Sequence, residues 1–512
     1  MSKNNNLGEV IASLSKSEKR YFRISTALPK KNKQFLKIFD LVEAAKDKDR
    51  KNLNLKLKGE SGIKNLPAIK TYLYKAILDS LHTKYDIASA DYELYKMIHQ
   101  VGILYDKGLF NQALSLIDKA KGMVWRHEQL ELLPEIHKWE LNINQASLDP
   151  VWAERVIREQ EVALKIISNL YQYKILNAQL FVKIHRFGVA RSSAQMAVVE
   201  KIMKHPMLRR RQTLSVMAEY SFYSTWGLYF KTKSDLVGYN RITKNLVRLI
   251  EKNKNVFEGR EMRYVQVYSN LLLCQRLLGR YGEIARTIDK LKAVKSISKQ
   301  VNVQIFVGVN YNKLSLCIDK ANFNEGYRLV REIMEEMKGI KIVSFDHKFA
   351  LNSAMAYICF AVGQFSLSLQ FLNSIISHNQ IQVRQDIQSS ARILYLVTRY
   401  EMDPADDFIE NITKSAQYFL KGKKILYESE KLIIDFFLQI IKGDFGRENI
   451  GEQFIKLKIN LNHIFANSQN EKVSLLSFDY MSWIESKITG RAFHEIVKEQ
   501  SLERKYLVNI NF

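Results

Sequence analysis

Apolar residues along this chain recur three or four positions apart, the spacing of a single helix face. The rhythm runs from Phe35, Ile38, Phe39 and Val42 near the start to Ile409, Ile412, Ala416 and Phe419 much later. Three times, at a fixed step of 42 residues, one phrase interrupts it: Gly279-Arg280-Tyr281, Ala321-Asn322-Phe323 and Gly363-Gln364-Phe365. A small residue breaks the helix and an aromatic follows two positions on. Three, seven and ten residues beyond the aromatic an apolar or small residue returns, as in Ile284, Ile288 and Leu291, or Gly326, Val330 and Ile333. Each unit thus reads as helix, tight turn, helix, and its repetition predicts stacked helix pairs that bury their apolar faces against neighbouring units. The step extends back to Tyr239, Ile242, Leu246 and Leu249, behind a break at Lys233-Ser234-Asp235. It extends forward, two residues late, to Ile409 after a helix start at Asp403-Pro404, with a weaker echo at Gly443-Asp444-Phe445.

The flanking segments are helical in pattern as well. Ser15 and Glu18 form a capping box for a helix running to the Leu28-Pro29 break, and a second helix covers about 32–46. A Lys-rich stretch from Lys46 to Gly62, read as the mobile element, precedes a third helix. That helix opens at Leu66-Pro67 with the stripe Ile69, Leu73, Ile77, Leu78 and Leu81. Between about 125 and 215 the phrase is absent and four helices are expected: Leu130 to Gln145, Val151 to Tyr171 behind an Asp149-Pro150 start, Tyr173 to Phe187, and Arg191 to Lys204. Phe478 to Thr489, stopped by Gly490, and Arg491 to Glu499 are expected to cap the open end. The organisation predicted is a basic helical module over 1–90, helical repeats over 91–465 and capping helices over 466–512.

Gly108-Leu109-Phe110, continuing through Ala113, Ile117 and Ala120, resembles the tetratricopeptide-repeat superfamily. There a glycine ends one helix, an aromatic opens the next and a small alanine lets the pair approach. Later units match at Gly279, Tyr281 and Ile284, at Phe323, Gly326 and Val330, and at Gly363, Phe365 and Ser368. The alanine is kept once and the step of 42 exceeds the 34 usual in that family, so its groove geometry does not carry over. The resemblance covers roughly 92–465. It implies an all-α, right-handed α-solenoid of antiparallel helix pairs with a concave face that binds protein or peptide.

Composition agrees with an all-α chain. Of 512 residues, 21 are Gly and only 6 are Pro, and no long alternating run of β-branched residues stands out. Residues 1–7 are polar and Asn-rich, and no apolar run reaches the roughly 20 residues of a membrane span. The expectation is a soluble, cytoplasmic protein. Cys274, Cys317 and Cys359 fall at the same place in three successive units, which fits small buried residues better than zinc ligands. The formal net charge is +25 and unevenly spread: residues 1–90 hold 19 Lys or Arg against 9 Asp or Glu, and residues 201–260 hold 13 against 4. A surplus of this kind speaks of an acidic partner.

Phosphate loops, dinucleotide fingerprints, H-E-x-x-H and G-x-S-x-G are all absent from the sequence. The ten histidines are scattered, none paired with another at helix spacing for a metal, and acidic pairs such as Glu335-Glu336 and Asp406-Asp407 suit solvated faces or helix starts. No catalytic residue, metal or cofactor is expected. The basic run from Lys201 to Arg211 precedes a helix carrying Tyr220, Phe222, Tyr223, Trp226, Tyr229 and Phe230, then Lys231 and Lys233. Cations beside rings suit single-stranded RNA, where phosphates pair and bases stack, yet Phe222, Trp226 and Tyr229 also lie at core spacing. Lys16, Lys19, Arg20 and Arg23 line one side of the first expected helix, with Tyr21, Phe22 and Ile24 on the other. A helix-turn-helix is disfavoured because the segment from Lys46 to Gly62 far exceeds its short turn. The leading expectation is a non-enzymatic adaptor or scaffold binding an acidic protein or peptide segment through Arg209, Arg210, Arg211, Tyr223, Lys231 and Lys233, with Lys16, Lys19, Arg20 and Arg23 as a second basic set. The alternatives are an RNA- or ribosome-associated protein, RNA before DNA, and a helical-repeat transcriptional regulator.

Overall fold

The computed structural model describes residues 6–26, 33–44, 66–85, 90–147, 149–187, 193–233, 235–296, 298–338, 340, 345–377, 385–403, 408–421, 428–441, 450–467, 471, 475 and 478–503. Every regular element among them is helical. The chain divides into two compact units, Met1–Leu164 and Lys165–Phe512. The Leu28-Pro29 stop, the Lys46 to Gly62 segment, Pro404, Asp406-Asp407 and the Gly443 echo lie outside the described residues.

In the first unit, α1 (Asn6–Ser13), α2 (Lys16–Thr26), α3 (Lys33–Ala44) and α4 (Leu66–Tyr85) close around Ile11, Phe22, Ile38, Phe39, Leu73 and Ile77. Phe22 and Phe39 stack with centroids 4.9 Å apart. The capping box forms in both directions: the Glu18 amide donates to Ser15 Oγ at 3.2 Å and the Ser15 amide donates to the Glu18 carboxylate. The Asn-rich start hides a helix the sequence pattern did not announce, because α1 buries one short face with only Leu7 and Ile11, and Leu14 follows just past its end. Next come α5 (Ala90–Asp106), α6 (Phe110–His127) and, after a 3₁₀ turn at Leu130–Leu132, α7 (Leu133–Ser147). Asp149 Oδ1 caps α8 (Pro150–Phe187) by accepting from the Val151 and Trp152 amides at 3.0 and 3.1 Å. The pattern predicted two helices here, but α8 is one helix of 38 residues. Nothing in Tyr171-Gln172-Tyr173 breaks a helix, and Tyr173 is wholly buried.

In the second unit follow α9 (Ser193–Met203), α10 (Pro206–Arg209), α11 (Val216–Lys233), α12 (Leu236–Lys252), α13 (Lys254–Phe257), α14 (Glu261–Leu277), α15 (Tyr281–Lys292), α16 (Lys299–Asp319) and α17 (Phe323–Met337). The unit continues through α18 (Phe345–Ala361), α19 (Phe365–Ile376), α20 (Gln385–Met402), α21 (Phe408–Lys421), α22 (Glu428–Ile441), α23 (Ile450–Asn467), α24 (Tyr480–Thr489) and α25 (Phe493–Glu503). From α14 onward, α14, α16, α18 and α20 each pack against the next helix and the next but one.

The 42-residue phrase is a single backbone device. Gly279, Ala321 and Gly363 take left-handed φ values of +66°, +52° and +76°. The amide after each reaches back five residues: Arg280 to the Gln275 carbonyl, Asn322 to Cys317 and Gln364 to Cys359, each at 2.8 Å. Gly108 has the same geometry, with φ of +70° and Leu109 N donating to Leu104 O at 2.9 Å. Three residues past each aromatic the helices meet closely. Ala113 and Ser368 are fully buried, Ser368 Oγ donates to the Ala356 carbonyl at 2.9 Å, and a Cβ on Gly326 would stand 2.8 Å from Ile358 Cδ1.

The chain from Phe478 onward packs on helices far earlier in the sequence. Phe493 packs on Phe323 and Phe360 at 6.4 and 5.3 Å, Phe478 packs on Tyr357 and Phe360 at 5.3 and 5.2 Å, and Trp483 stacks on Phe437 at 6.0 Å. No helix among the described residues is long and apolar enough to cross a membrane.

Candidate functional site

The basic run ending at Arg211 sits on a loop whose backbone is seized by side chains. His205 caps the one-turn α10 by accepting from the Met207 amide, and Met207 and Leu208 are buried beneath the turn. The Tyr173 hydroxyl, from α8, donates to the Met207 carbonyl at 3.0 Å and accepts from the Gln212 amide at 3.1 Å. Asn169, one turn earlier on α8, donates to the Gln212 carbonyl at 2.9 Å and accepts from the Leu214 amide at 3.1 Å. Trp226 Nε1 donates to the Leu208 carbonyl at 3.3 Å. Burial raises the Tyr173 phenol above its ordinary value, which keeps it a proton donor. Five bonds from α8 and α11 therefore fix the loop.

Its three arginines are not equivalent. Arg211 donates to Glu219 at 2.6 Å and to the Tyr223 hydroxyl at 2.8 Å, so Arg211 and Tyr223 are bound to each other. Burial raises the Tyr223 phenol and the Glu219 charge adds to that, against Arg211. Arg209 and Arg210 stand exposed, and Arg210 leaves α10 in extended conformation. The rings of α11 face one another: Trp226 lies 5.5 Å from Tyr229 and 5.3 Å from Phe230, and Phe222 packs edge-on to Tyr173 at 6.0 Å. Trp226 holds the loop backbone and Tyr223 holds Arg211, while the rings of α11 pack on one another. Lys231 and Lys233 are exposed at the end of α11, with the Lys233 ammonium 5.9 Å from the Tyr229 ring.

The second basic set belongs to the first unit and is divided in the same way. Lys19 pairs with Glu43 at 3.0 Å, and Arg23 pairs with Asp40 at 2.8 Å and with Glu43 while lying 5.2 Å over the Phe39 ring. The Asp40 hydrogen bond does most to hold the Arg23 charge. Lys16 and Arg20 are exposed.

One cluster escaped the sequence reading. His137 and Glu140, one turn apart on α7, meet Glu159 of α8, their ligand-type atoms lying within 4.8 Å of one another. The space between the carboxylates holds the Lys121 ammonium of α6, paired with Glu140 and 2.7 Å from Glu159 Oε2, while Trp152 Nε1 donates to Glu140 Oε1 at 3.3 Å. The cluster acts as an ion-pair knot joining three helices. Burial, then Lys121, depresses the His137 basicity. Glu159 is pushed up by burial, but the Lys121 hydrogen bond and charge prevail and leave it below the usual carboxylate range. A His-x-x-Glu pair on α7 was the available signal. The partners 16 and 19 residues away could not be inferred from it.

The three cysteines are buried, and none belongs to a metal-type cluster among the described residues. Burial raises Cys274 and Cys359 to about 12 and Cys317 to about 11, so all three are unreactive thiols. No protein-family model, no curated protein and no solved structure matches the chain.

Proposed function

We propose that this chain is a non-enzymatic adaptor built on tetratricopeptide-like stacked helix pairs, and that it holds an acidic segment of a protein partner at Arg209 and Arg210. The observation that carries the reading is the pinned loop. Its backbone is fixed by Tyr173, Asn169 and Trp226 while the two guanidinium groups stand in solvent. A loop ordered before binding saves the partner the cost of ordering it, and a guanidinium fork matches a carboxylate in geometry as well as charge. Lys231 and Lys233 would supply longer-range attraction. The shared left-handed turn at Gly108, Gly279, Ala321 and Gly363, and the next-but-one helix packing, support the stacked-pair architecture.

Protein is favoured over RNA because Tyr223 is bound to Arg211, Trp226 to the loop backbone, and the half-buried rings of α11 pack on one another. A DNA-reading role for α2 is weakened by the use of Lys19 and Arg23 on Glu43 and Asp40. The test is purification of the full chain with and without nuclease at several salt concentrations. The adaptor reading expects the 260 nm absorbance to be unaffected by nuclease. Nucleic acid that co-purifies, is removed by nuclease and dissociates steeply with salt would replace it with the RNA reading.

A further inference from the structure

Within the second unit, α8 carries two apolar stripes. One is buried: Leu170, Tyr173 and Leu180 join Val199, Met203 and Met207 in a single core cluster. The other consists of Ser168, Tyr171, Ile175, Ala178 and Val182, all exposed, with Tyr171, Ile175 and Val182 at 45 %, 52 % and 50 %. Its steps of three, four, three and four residues are those of a helix-packing seam, where large residues act as knobs and small ones leave holes. A helix with one face in a core ordinarily turns polar residues outward, and an exposed apolar strip on it marks an interaction surface. At about 3.6 residues per turn, the seam lies half a turn round α8 from Tyr173, whose hydroxyl holds the Arg209 loop. The seam therefore faces away from that loop. Its charge is one-sided as well. From Val162 to Val199 the chain holds five Lys or Arg and no Asp or Glu. Lys165 and Lys183, five full turns apart, stand exposed along one flank of the seam, and neither is paired with an acid among the described residues. Lys174 lies on the other flank, its ammonium 4.6 Å from the Tyr171 ring.

We infer that this seam docks an amphipathic helix of a partner protein, whose apolar stripe covers Tyr171, Ile175 and Val182 and whose carboxylates meet Lys165 and Lys183. Removing the apolar strip from water supplies the contact, and the flanking charges select the partner and its orientation. A second copy of the chain fits poorly, because a two-fold contact sets each face against itself and this segment has no acid to offer its own lysines. A lipid surface fits poorly too: Ser168 and Ala178 leave indentations shaped for a helix and add nothing that anchors in acyl chains. The surface is separate from Arg209 and Arg210 and does not rest on the reading given to them.

Fluorescence anisotropy of a labelled three-heptad peptide, with Leu at a and d and Glu at e and g, titrated with the full chain tests this. The Glu flanks keep the peptide from pairing with itself. Saturable binding is expected, and at least tenfold weaker binding of two control peptides, one with Lys at e and g and one with Ala at a and d. Ile175→Lys and Val182→Lys are each expected to weaken the Glu peptide at least tenfold, and Lys165→Glu/Lys183→Glu at least fivefold. Arg209→Glu/Arg210→Glu is expected to leave it within twofold, so the seam and the arginine site stand or fall separately. All these variants alter exposed side chains, and unchanged circular dichroism confirms folding. The inference is overturned if the Glu peptide does not saturate, if either control binds as well, or if the folded seam variants bind as the parent does. An equal loss in the Arg209→Glu/Arg210→Glu variant would overturn it too, by showing that charge alone attracts the peptide. Sedimentation supplies the last check: a dimer, or binding to phosphatidylserine vesicles, that Ile175→Lys abolishes would give the seam to a second copy or to lipid instead.

Discussion

Burial holds the His137 imidazole neutral at the knot between α6, α7 and α8, and this has a pH signature. The folded-state value lies below the ordinary 6.5. As pH falls beneath that value the unfolded chain takes up a proton that the folded chain refuses, so the stabilisation is complete above 6.5 and is lost progressively below it. Glu159 acts in the same sense lower down, its folded value lying beneath 4.5. Thermal unfolding of the full chain is expected to show a midpoint that drops between pH 7 and 5.5. His137→Gln should remove much of that drop, and identical slopes in parent and variant would refute the assignment. At this scale the sequence was partly legible. Ser15 and Glu18 could be read as a cap because both partners lie within four residues. Arg209, Arg210 and Arg211 look alike in sequence, and the division of labour among them depends on Glu219 and Tyr223 arriving from α11. Which faces meet is a tertiary fact, and no local pattern encodes it.

The repeating element is governed by one residue in the left-handed region. Gly363 adopts φ of +76° with nothing within 4 Å of the place a Cβ would take, so Gly363→Ala meets only the backbone cost, about 1 kcal/mol. Ala321 bears that cost already, at φ of +52°. Ala321→Gly relieves it while enlarging the unfolded ensemble, and the net expectation is a gain of about 0.5 kcal/mol. Urea denaturation of both variants checks the pair: a destabilising Ala321→Gly, or a silent Gly363→Ala, would contradict the shared-turn account. This element was legible from the sequence because a small residue, a polar residue and an aromatic specify the turn within about six positions. The unbroken α8 was not, since the absence of a breaker between Tyr171 and Tyr173 is a weaker signal than the presence of one. The packing of the chain end on the second and third phrases was equally hidden, because Phe493 comes to Phe323 from 170 residues away in sequence.

Across the whole molecule a formal charge of +25 gives a field that attracts acidic partners in general, while a site needs cations that are fixed and not already spent. Several members of the two basic regions are spent: Lys19, Arg23 and Arg211 neutralise acids of their own unit. Arg209 and Arg210 combine exposure with a backbone that is held in place, which is why the proposed recognition centres on them. The most direct measurement is fluorescence anisotropy of a labelled oligoglutamate peptide titrated with the parent chain, with the double variant Arg209→Glu/Arg210→Glu, and with Arg158→Glu, a charge reversal at an exposed helix position of the first unit. The account predicts salt-sensitive binding by the parent, at least a tenfold loss in the double variant, and little change in Arg158→Glu. Equal losses in both variants would show that net charge alone attracts the peptide and would contradict a site at Arg209 and Arg210.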